Sequence, residues 1–250
     1  MTRLIVALLI VLTPATAQLP TFESRHIERM IPGCGDAKDG CVHVEFAYVE
    51  LVTGPEDVRE KVNAAIRDAI VSRPRDDLKL APAEYADHFV AGYEEVRSEG
   101  KNFQQRWTLA KSVKVSRATP PAISLQYSEW SYTGGAHGDS FTTYLNFDAA
   151  TGEPLKLAAI VNPGSMPRLT AIAEAHFRKQ RELAPDADLK EGGFWFPDGR
   201  FQLSPIFGLS EKDLIFQYNV YDVASYSMGP TTVTIPLTEI RGLLRPGFAQ

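Results

Sequence analysis

Ala122-Ile-Ser-Leu-Gln-Tyr-Ser-Glu-Trp-Ser-Tyr132, then Thr133-Gly-Gly-Ala-His-Gly138, then Ser140-Phe-Thr-Thr-Tyr-Leu-Asn-Phe-Asp148 is the stretch that decides the fold. Both outer segments are rich in β-branched and aromatic residues, and each changes character at every second position, which is the period of a strand. The glycines between them supply the backbone freedom of a tight turn, with His137 at its tip. Upstream, Phe103-Gln-Gln-Arg-Trp-Thr-Leu-Ala-Lys-Ser-Val-Lys-Val has the same period and is set off by Pro120-Pro121. Three consecutive strands so spaced predict an antiparallel meander.

Outward from this meander the period changes. His43-Val-Glu-Phe-Ala-Tyr-Val-Glu-Leu predicts an earlier strand. Gly54-Pro-Glu-Asp opens a helix with Val58, Val62, Ala65, Ile66, Ala69 and Ile70 on one face, and Ser72-Arg-Pro-Arg stops it. A second helix runs from Pro82 through Val96, with Tyr85, Phe89 and Tyr93 at helical spacing as core residues. After the turn Ala150-Thr-Gly-Glu-Pro and the segment Leu155-Lys-Leu, a third helix spans Pro167 to about Leu183, burying Leu169, Ile172, Ala173 and Phe177. Glu191 to Arg200 is a glycine- and aromatic-rich loop. Phe201-Gln-Leu, Leu214 to Tyr221 and Thr231-Thr-Val-Thr-Ile-Pro are expected strands, and Leu237 to Leu244 a short helix. Strands and helices come in blocks, so the expected class is α+β, with a mostly antiparallel sheet and the helices segregated on one face.

Residues 1–17 have the make-up of a cleaved export signal: Arg3, an apolar run from Leu4 to Leu12, and Ala15-Thr-Ala17 as the cutting site. That run is well short of the roughly 20 residues a bilayer requires. No later segment is apolar for long enough, so no span is expected in the mature chain, and the destination is periplasmic or secreted. Loss of Arg3 takes the formal net charge from -5 to -6. An acidic balance of this kind argues against nucleic acid as a partner. The expected organisation is a signal at 1–17, an N-terminal segment at 18–41, a smaller α+β unit at 42–120 and a larger one at 121–250.

Cys34 and Cys41, the only two cysteines, would be joined by a disulfide after export. A zinc site built from them with His43 and Glu45 lacks both the ligand set and the spacing. Glu84 with His88 and His43 with Glu45 each share one face of their element, and neither pair alone makes a metal site. His26 and His176 have no company nearby in the sequence. There is no Gly-x-Ser-x-Gly elbow, P-loop, dinucleotide fingerprint or His-Glu-x-x-His, so no cofactor is expected. As a general base His137 would need an orienting carboxylate, and Asp139 and Asp148 are the candidates by proximity. A hydrolase using His137 with a nearby Asp is therefore the alternative to a binding role. Tyr221-Asp-Val-Ala-Ser-Tyr-Ser-Met-Gly-Pro is the other notable run. Its tyrosines, next to a turn, suit sugar stacking or a protein interface if exposed, whereas buried structural tyrosines are the plainer reading.

Three motifs together resemble the RsiV-type ectodomain family, the extracytoplasmic domain of unknown function of a lysozyme-sensing anti-sigma factor. They are Tyr132-Thr-Gly-Gly-Ala-His-Gly, Asn146-Phe-Asp-x-x-Thr-Gly with Leu155-x-Leu, and Tyr221-x-x-Ala-x-Tyr-x-x-Gly-Pro ahead of Val233-x-Ile-Pro. A similar unit precedes the catalytic domain of the deacetylase PdaC. The motifs span residues 129–240, and residues 42–115 look more loosely like the smaller domain that accompanies it. The resemblance implies an α+β fold, an extracytoplasmic setting and a binding role, with lysozyme the ligand in one branch; the expected ligand of this chain is a lysozyme-like protein or the peptidoglycan of the wall itself. Matched by motif, Tyr132, Gly134, Gly135, His137, Tyr221 and Tyr226 are the positions implied in binding. The chain departs from the family pattern at Ala224-Ser-Tyr226, where Ala-Pro-Tyr is common, and at Gly138, where a proline often follows the histidine.

The mature exported protein should begin at Gln18, and thiol labelling without reductant should mark neither Cys34 nor Cys41. Reduction should expose both and lower stability by about 2–3 kcal/mol. Two reactive thiols in freshly isolated protein would refute the pairing.

Overall fold

The computed structural model describes residues 19–31, 40–71, 80–100 and 105–248. The proposed signal at 1–17 and Cys34 lie outside them. Five strands form one sheet in the order β1 (Phe22–Met30), β2 (Cys41–Leu51), β3 (Arg106–Thr119), β4 (Ala122–Tyr132) and β5 (Asp139–Asp148). All neighbours are antiparallel except β2 and β3, which run parallel. Between those two the chain makes helices α1 (Glu56–Val71) and α2 (Pro82–Glu99). A parallel pair requires a crossover, and here two helices provide it. The expected meander is present at β3–β4–β5, while the blockwise element order concealed this one crossover. Cys41, at the start of β2, is buried, and no described cysteine is free.

Alternation sorts the sheet into two faces. Val42, Val44 and Phe46 of β2, Leu109 and Val113 of β3, and Ile123, Leu125 and Tyr127 of β4 are all buried. They pack under Val58, Val62, Ile66 and Ile70 of α1 and Tyr85, Phe89 and Tyr93 of α2. Each such side chain contributes about 1.5–3 kcal/mol by leaving water. Lys111 lies on this same face, fully buried, with its ammonium 3.4 Å from Glu129 and 4.8 Å from the centre of the Tyr85 ring. Tyr127 donates to the same Glu129 carboxylate. Burial first, and the Glu129 charge second, raise the Tyr127 phenol far above its usual range, so it remains a donor.

Strand β1 went unseen in the sequence. Phe22-Glu-Ser-Arg-His-Ile-Glu-Arg-Met is mostly polar because it is an edge, where charge discourages pairing with a stray chain. Arg25 bonds Glu50 across the pair at 2.8 Å, and Arg29 reaches Asp87 of α2 at 2.6 Å.

A second core gathers beyond the meander. Strands β6 (Phe207–Leu209), β7 (Asp213–Tyr218) and β8 (Thr231–Pro236) make an antiparallel sheet. A short helix α3 (Leu157–Ile160) leads to α4 (Met166–Gln180), whose Leu169, Ala173 and Phe177 face this sheet. Phe177 sits among Phe194, Phe196, Phe201 and Tyr218 at ring-centre distances of 5.0–5.7 Å. Phe201-Gln-Leu is thus no strand. Its ring belongs to this aromatic cluster, and the Gln202 carbonyl accepts from the Tyr218 hydroxyl at 2.7 Å. The expected strand through Tyr221 stops at Tyr218, and the expected C-terminal helix contracts to one 3₁₀ turn, Arg241–Leu243.

The two cores meet through buried polar groups. Ser124 donates to Asn146 Oδ1 at 2.7 Å, Asn146 Nδ2 donates to the Phe207 carbonyl at 2.7 Å, and the Leu209 amide donates to Ser124 Oγ at 3.0 Å. Gly208 permits this approach, since a Cβ there would lie 2.1 Å from the Tyr144 ring. Replacing Asn146 by Ala should cost about 1–3 kcal/mol for each buried group it orphans. Ser124→Ala with Asn146→Ala should cost clearly less than the two single losses combined, as denaturant titration will show. Full additivity would mean that the two side chains do not act as one network.

Candidate functional site

At the end of the sheet remote from this junction, the β4–β5 loop meets the turn that follows β7. Gly134 and Gly135 both take positive φ, +108° and +107°, as the sequence anticipates for a tight turn. Tyr132 braces the loop by donating to the Gly135 carbonyl at 3.0 Å. Gly138 has a different constraint. The Trp130 ring lies against its α-carbon, and a Cβ would fall 2.2 Å from Trp130 Cζ2. The departure from proline at this position therefore accompanies a tryptophan packed against the backbone.

The second contributor, Asn219-Val-Tyr-Asp222, is fixed by side chains that act as backbone substitutes. Asn219 Oδ1 accepts from the Thr142 amide at 2.8 Å and Nδ2 donates to the Thr142 carbonyl at 3.0 Å, pairing with the edge of β5 as another strand would. Asp222 Oδ2 accepts from the Asn219 amide at 2.7 Å and closes the turn. Tyr221, at its tip, has φ = +67°. A bulky residue in the left-handed region costs about 1–2 kcal/mol, and such strain gathers at functional sites.

These supports bring three of the expected residues together. The His137 and Tyr226 rings stack at 3.8 Å between centres with 21° between planes. Both are tied to one acceptor, the Gly138 carbonyl, which lies 2.8 Å from His137 Nδ1 and 3.0 Å from the Tyr226 hydroxyl. Because a carbonyl only accepts, Nδ1 carries a proton, and Nε2 lies 3.5 Å from the Tyr221 hydroxyl. The Tyr221 and Tyr226 rings are 5.8 Å apart. Tyr132 serves the loop from beneath and does not join the stack.

The carboxylates offered as partners for His137 are engaged elsewhere or unmatched. Asp148 Oδ1 accepts from the Ala150 and Thr151 amides and from the Thr151 hydroxyl at 2.9–3.0 Å, shaping its own turn. Both nitrogens of His137 face neutral oxygens. Three of the other four histidines find company that sequence distance had hidden: His26 with Glu45 at 3.4 Å, His43 with Glu28 at 2.9 Å and His176 with Glu239 at 2.9 Å. Asn219 and Trp195 escaped the sequence reading. The Asn-x-x-Asp spacing is a turn signal that could have identified Asn219. Nothing local marks Trp195, whose indole N–H donates to the Asp222 carbonyl at 3.3 Å.

Comparison with known proteins agrees with this architecture. Residues 38–140 match the family described as Deacetylase PdaC. The Peptidoglycan-N-acetylmuramic acid deacetylase PdaC of Bacillus subtilis (strain 168) is 21% identical over 211 residues, 82% of this chain. The chain spans 43% of the length of that relative. A crystal structure of a DUF3298 family member from Bacteroides fragilis NCTC 9343 superposes with a TM-score of 0.69 at 22% identity, covering 91% of this chain and 94% of the other. One from Pseudomonas aeruginosa PAO1 gives 0.67 at 21%, covering 92% and 96%. Residues 158–238 match the family described as Protein of unknown function (DUF3298), so the two matched segments follow one another along the chain.

Proposed function

We propose that this is an extracytoplasmic binding protein of the cell envelope, and that the His137–Tyr226–Tyr221 cluster receives the glycan of the wall. The observation that carries the proposal is the mounting of these rings. Two are stacked on a shared carbonyl, and the third is held outward in a strained left-handed conformation. Sugar rings present apolar C–H faces edged by hydroxyls. Exposed aromatic faces bordered by phenol and carbonyl oxygens complement them, and rings already fixed in place lose little entropy on binding. The match to a deacetylase named for a peptidoglycan sugar supports the same ligand class.

A hydrolytic role for His137 fits less well. A base needs an orienting partner and a nucleophile within reach, whereas both ring nitrogens here face neutral oxygens and Asp148 is committed to its turn. The lysozyme-type alternative draws on the RsiV-like motifs and on the net charge of -5, which would steer a basic protein toward the site.

Co-sedimentation with purified wall sacculi, beside titration with a lysozyme, separates these readings. The wild type should sediment with sacculi, and His137→Ala should weaken binding roughly ten-fold, the cost of one good contact. Tyr221→Gly should weaken binding similarly while leaving fold stability unchanged or higher by up to about 1 kcal/mol, since glycine tolerates φ = +67°. Capture of lysozyme without retention on sacculi would replace the glycan reading. Turnover of wall material that His137→Ala abolishes with binding intact would establish the hydrolase instead.

A further inference from the structure

The Glu191–Arg200 loop, rich in glycine and aromatic residues, belongs to neither the stack nor the turn described above, yet it presents a tryptophan beside them. Trp195 is 49% exposed although it is firmly held. Its backbone N–H donates to the Val223 carbonyl at 3.0 Å and its indole N–H to the Asp222 carbonyl at 3.3 Å. An indole whose donor is satisfied by main chain leaves its ring face as the part offered to a ligand. Asp222 directly follows Tyr221, so Trp195 flanks the stack on the side of the β7 turn. On the loop side, Trp130 rests on Gly138, the residue after His137, and is 42% exposed. Tyr221 itself is 56% exposed. Rings therefore follow one another along one path, from the exposed Trp130 over Gly138 to His137 and the half-buried Tyr226, on to the exposed Tyr221, and then to the exposed Trp195.

Each ring is fixed by a different element: Trp130 by β4, His137 by the β4–β5 loop, Tyr221 by the β7 turn and Trp195 by the loop after α4. A surface for one sugar or for a chain end needs one ring, or two around a closed pocket. A row of separately anchored rings suits a ligand that repeats. Taking the glycan reading above as its basis, we infer that Trp130 and Trp195 are outer stacking positions, and that the site recognises an internal stretch of a polymeric N-acetylated glycan strand.

The probe is a ladder of soluble β-1,4-linked N-acetylglucosamine oligomers, from the disaccharide to the hexasaccharide, titrated calorimetrically into the mature full-length chain. Wild-type affinity should rise with length. Trp195→Ala and Trp130→Ala should each lower hexasaccharide affinity roughly two- to ten-fold, the range for losing one aromatic contact, and leave the disaccharide almost unaffected. Trp195→Phe should retain part of the loss, and unchanged circular dichroism would show that each variant folds. Equal wild-type affinity for disaccharide and hexasaccharide, or hexasaccharide binding indifferent to both tryptophans, would overturn the extended-strand inference while leaving the glycan reading intact. Failure of the wild type to bind any oligomer or sacculi would overturn both.

Discussion

Ser124 and Asn146 occupy the one place where a strand pair must serve two cores, and the rest of the molecule is arranged around that constraint. Odd-numbered residues of β4 point into the helix-covered core, where Ile123, Leu125 and Tyr127 are buried with α1 and α2. Even-numbered residues point the other way, beneath β6. There a continuous apolar surface would not have fixed the register of a strand only three residues long, Phe207–Leu209. Hydrogen bonds from Asn146 to the Phe207 carbonyl and from the Leu209 amide to Ser124 have direction, and they admit one alignment. Once β6 is placed, β7 follows by pairing, and the turn after β7 is delivered to the edge of β5.

Lys111 imposes a second constraint of the same type. An ammonium with no exposed surface requires its partners, and Glu129 lies opposite it in the β3–β4 register. A slip of β4 by one residue against β3 would turn Glu129 away from the helix core, leave the buried Lys111 ammonium without that carboxylate, and bring Trp130 inward. Buried ion pairs add little net stability, because desolvation offsets attraction. Their contribution here lies in making the alternatives costly. The Trp130 face is thereby fixed too, and with it one end of the aromatic row.

Features governed by local periodicity were legible in the sequence. The 2.0 and 3.6 periods located β2, α1, α2, the β3–β4–β5 meander and α4, because their apolar residues are also their core residues. Elements governed by distant partners were not. Strand β1 is polar because it is an edge. Phe201-Gln-Leu imitates a strand although its ring belongs to the Phe177 cluster. Of the site, Gly134, Gly135 and His137 announce a turn and Tyr221 and Tyr226 stand beside another, but the sequence pointed to buried tyrosines, whereas Tyr221 is exposed. Their meeting depends on Asn219 capping β5 some 77 positions away in the chain, and no local pattern records that.

Strain and support are distributed consistently with a binding surface. Tyr221 is held at φ = +67° by the Asp222–Asn219 bond and the Asn219–Thr142 clamp, all on the frame side of the turn, so no contact of the ring is needed to keep the conformation. Among the described residues its hydroxyl meets His137 Nε2 at 3.5 Å, a long and weak contact. A side chain retained for packing would be expected to show the opposite pattern, with a relaxed backbone and a buried ring. Here the conformational cost falls on the backbone, the compensation comes from the frame, and the ring remains in solvent with its face uncovered. The same division holds for Trp195, anchored through main chain and indole nitrogen, and for His137, anchored through Nδ1. At all three positions the polar anchor faces the protein and ring surface stays exposed, the His137 ring being covered on the side it stacks on Tyr226, so on the proposed glycan reading ordering would precede binding and the contact energy of each ring would go into affinity.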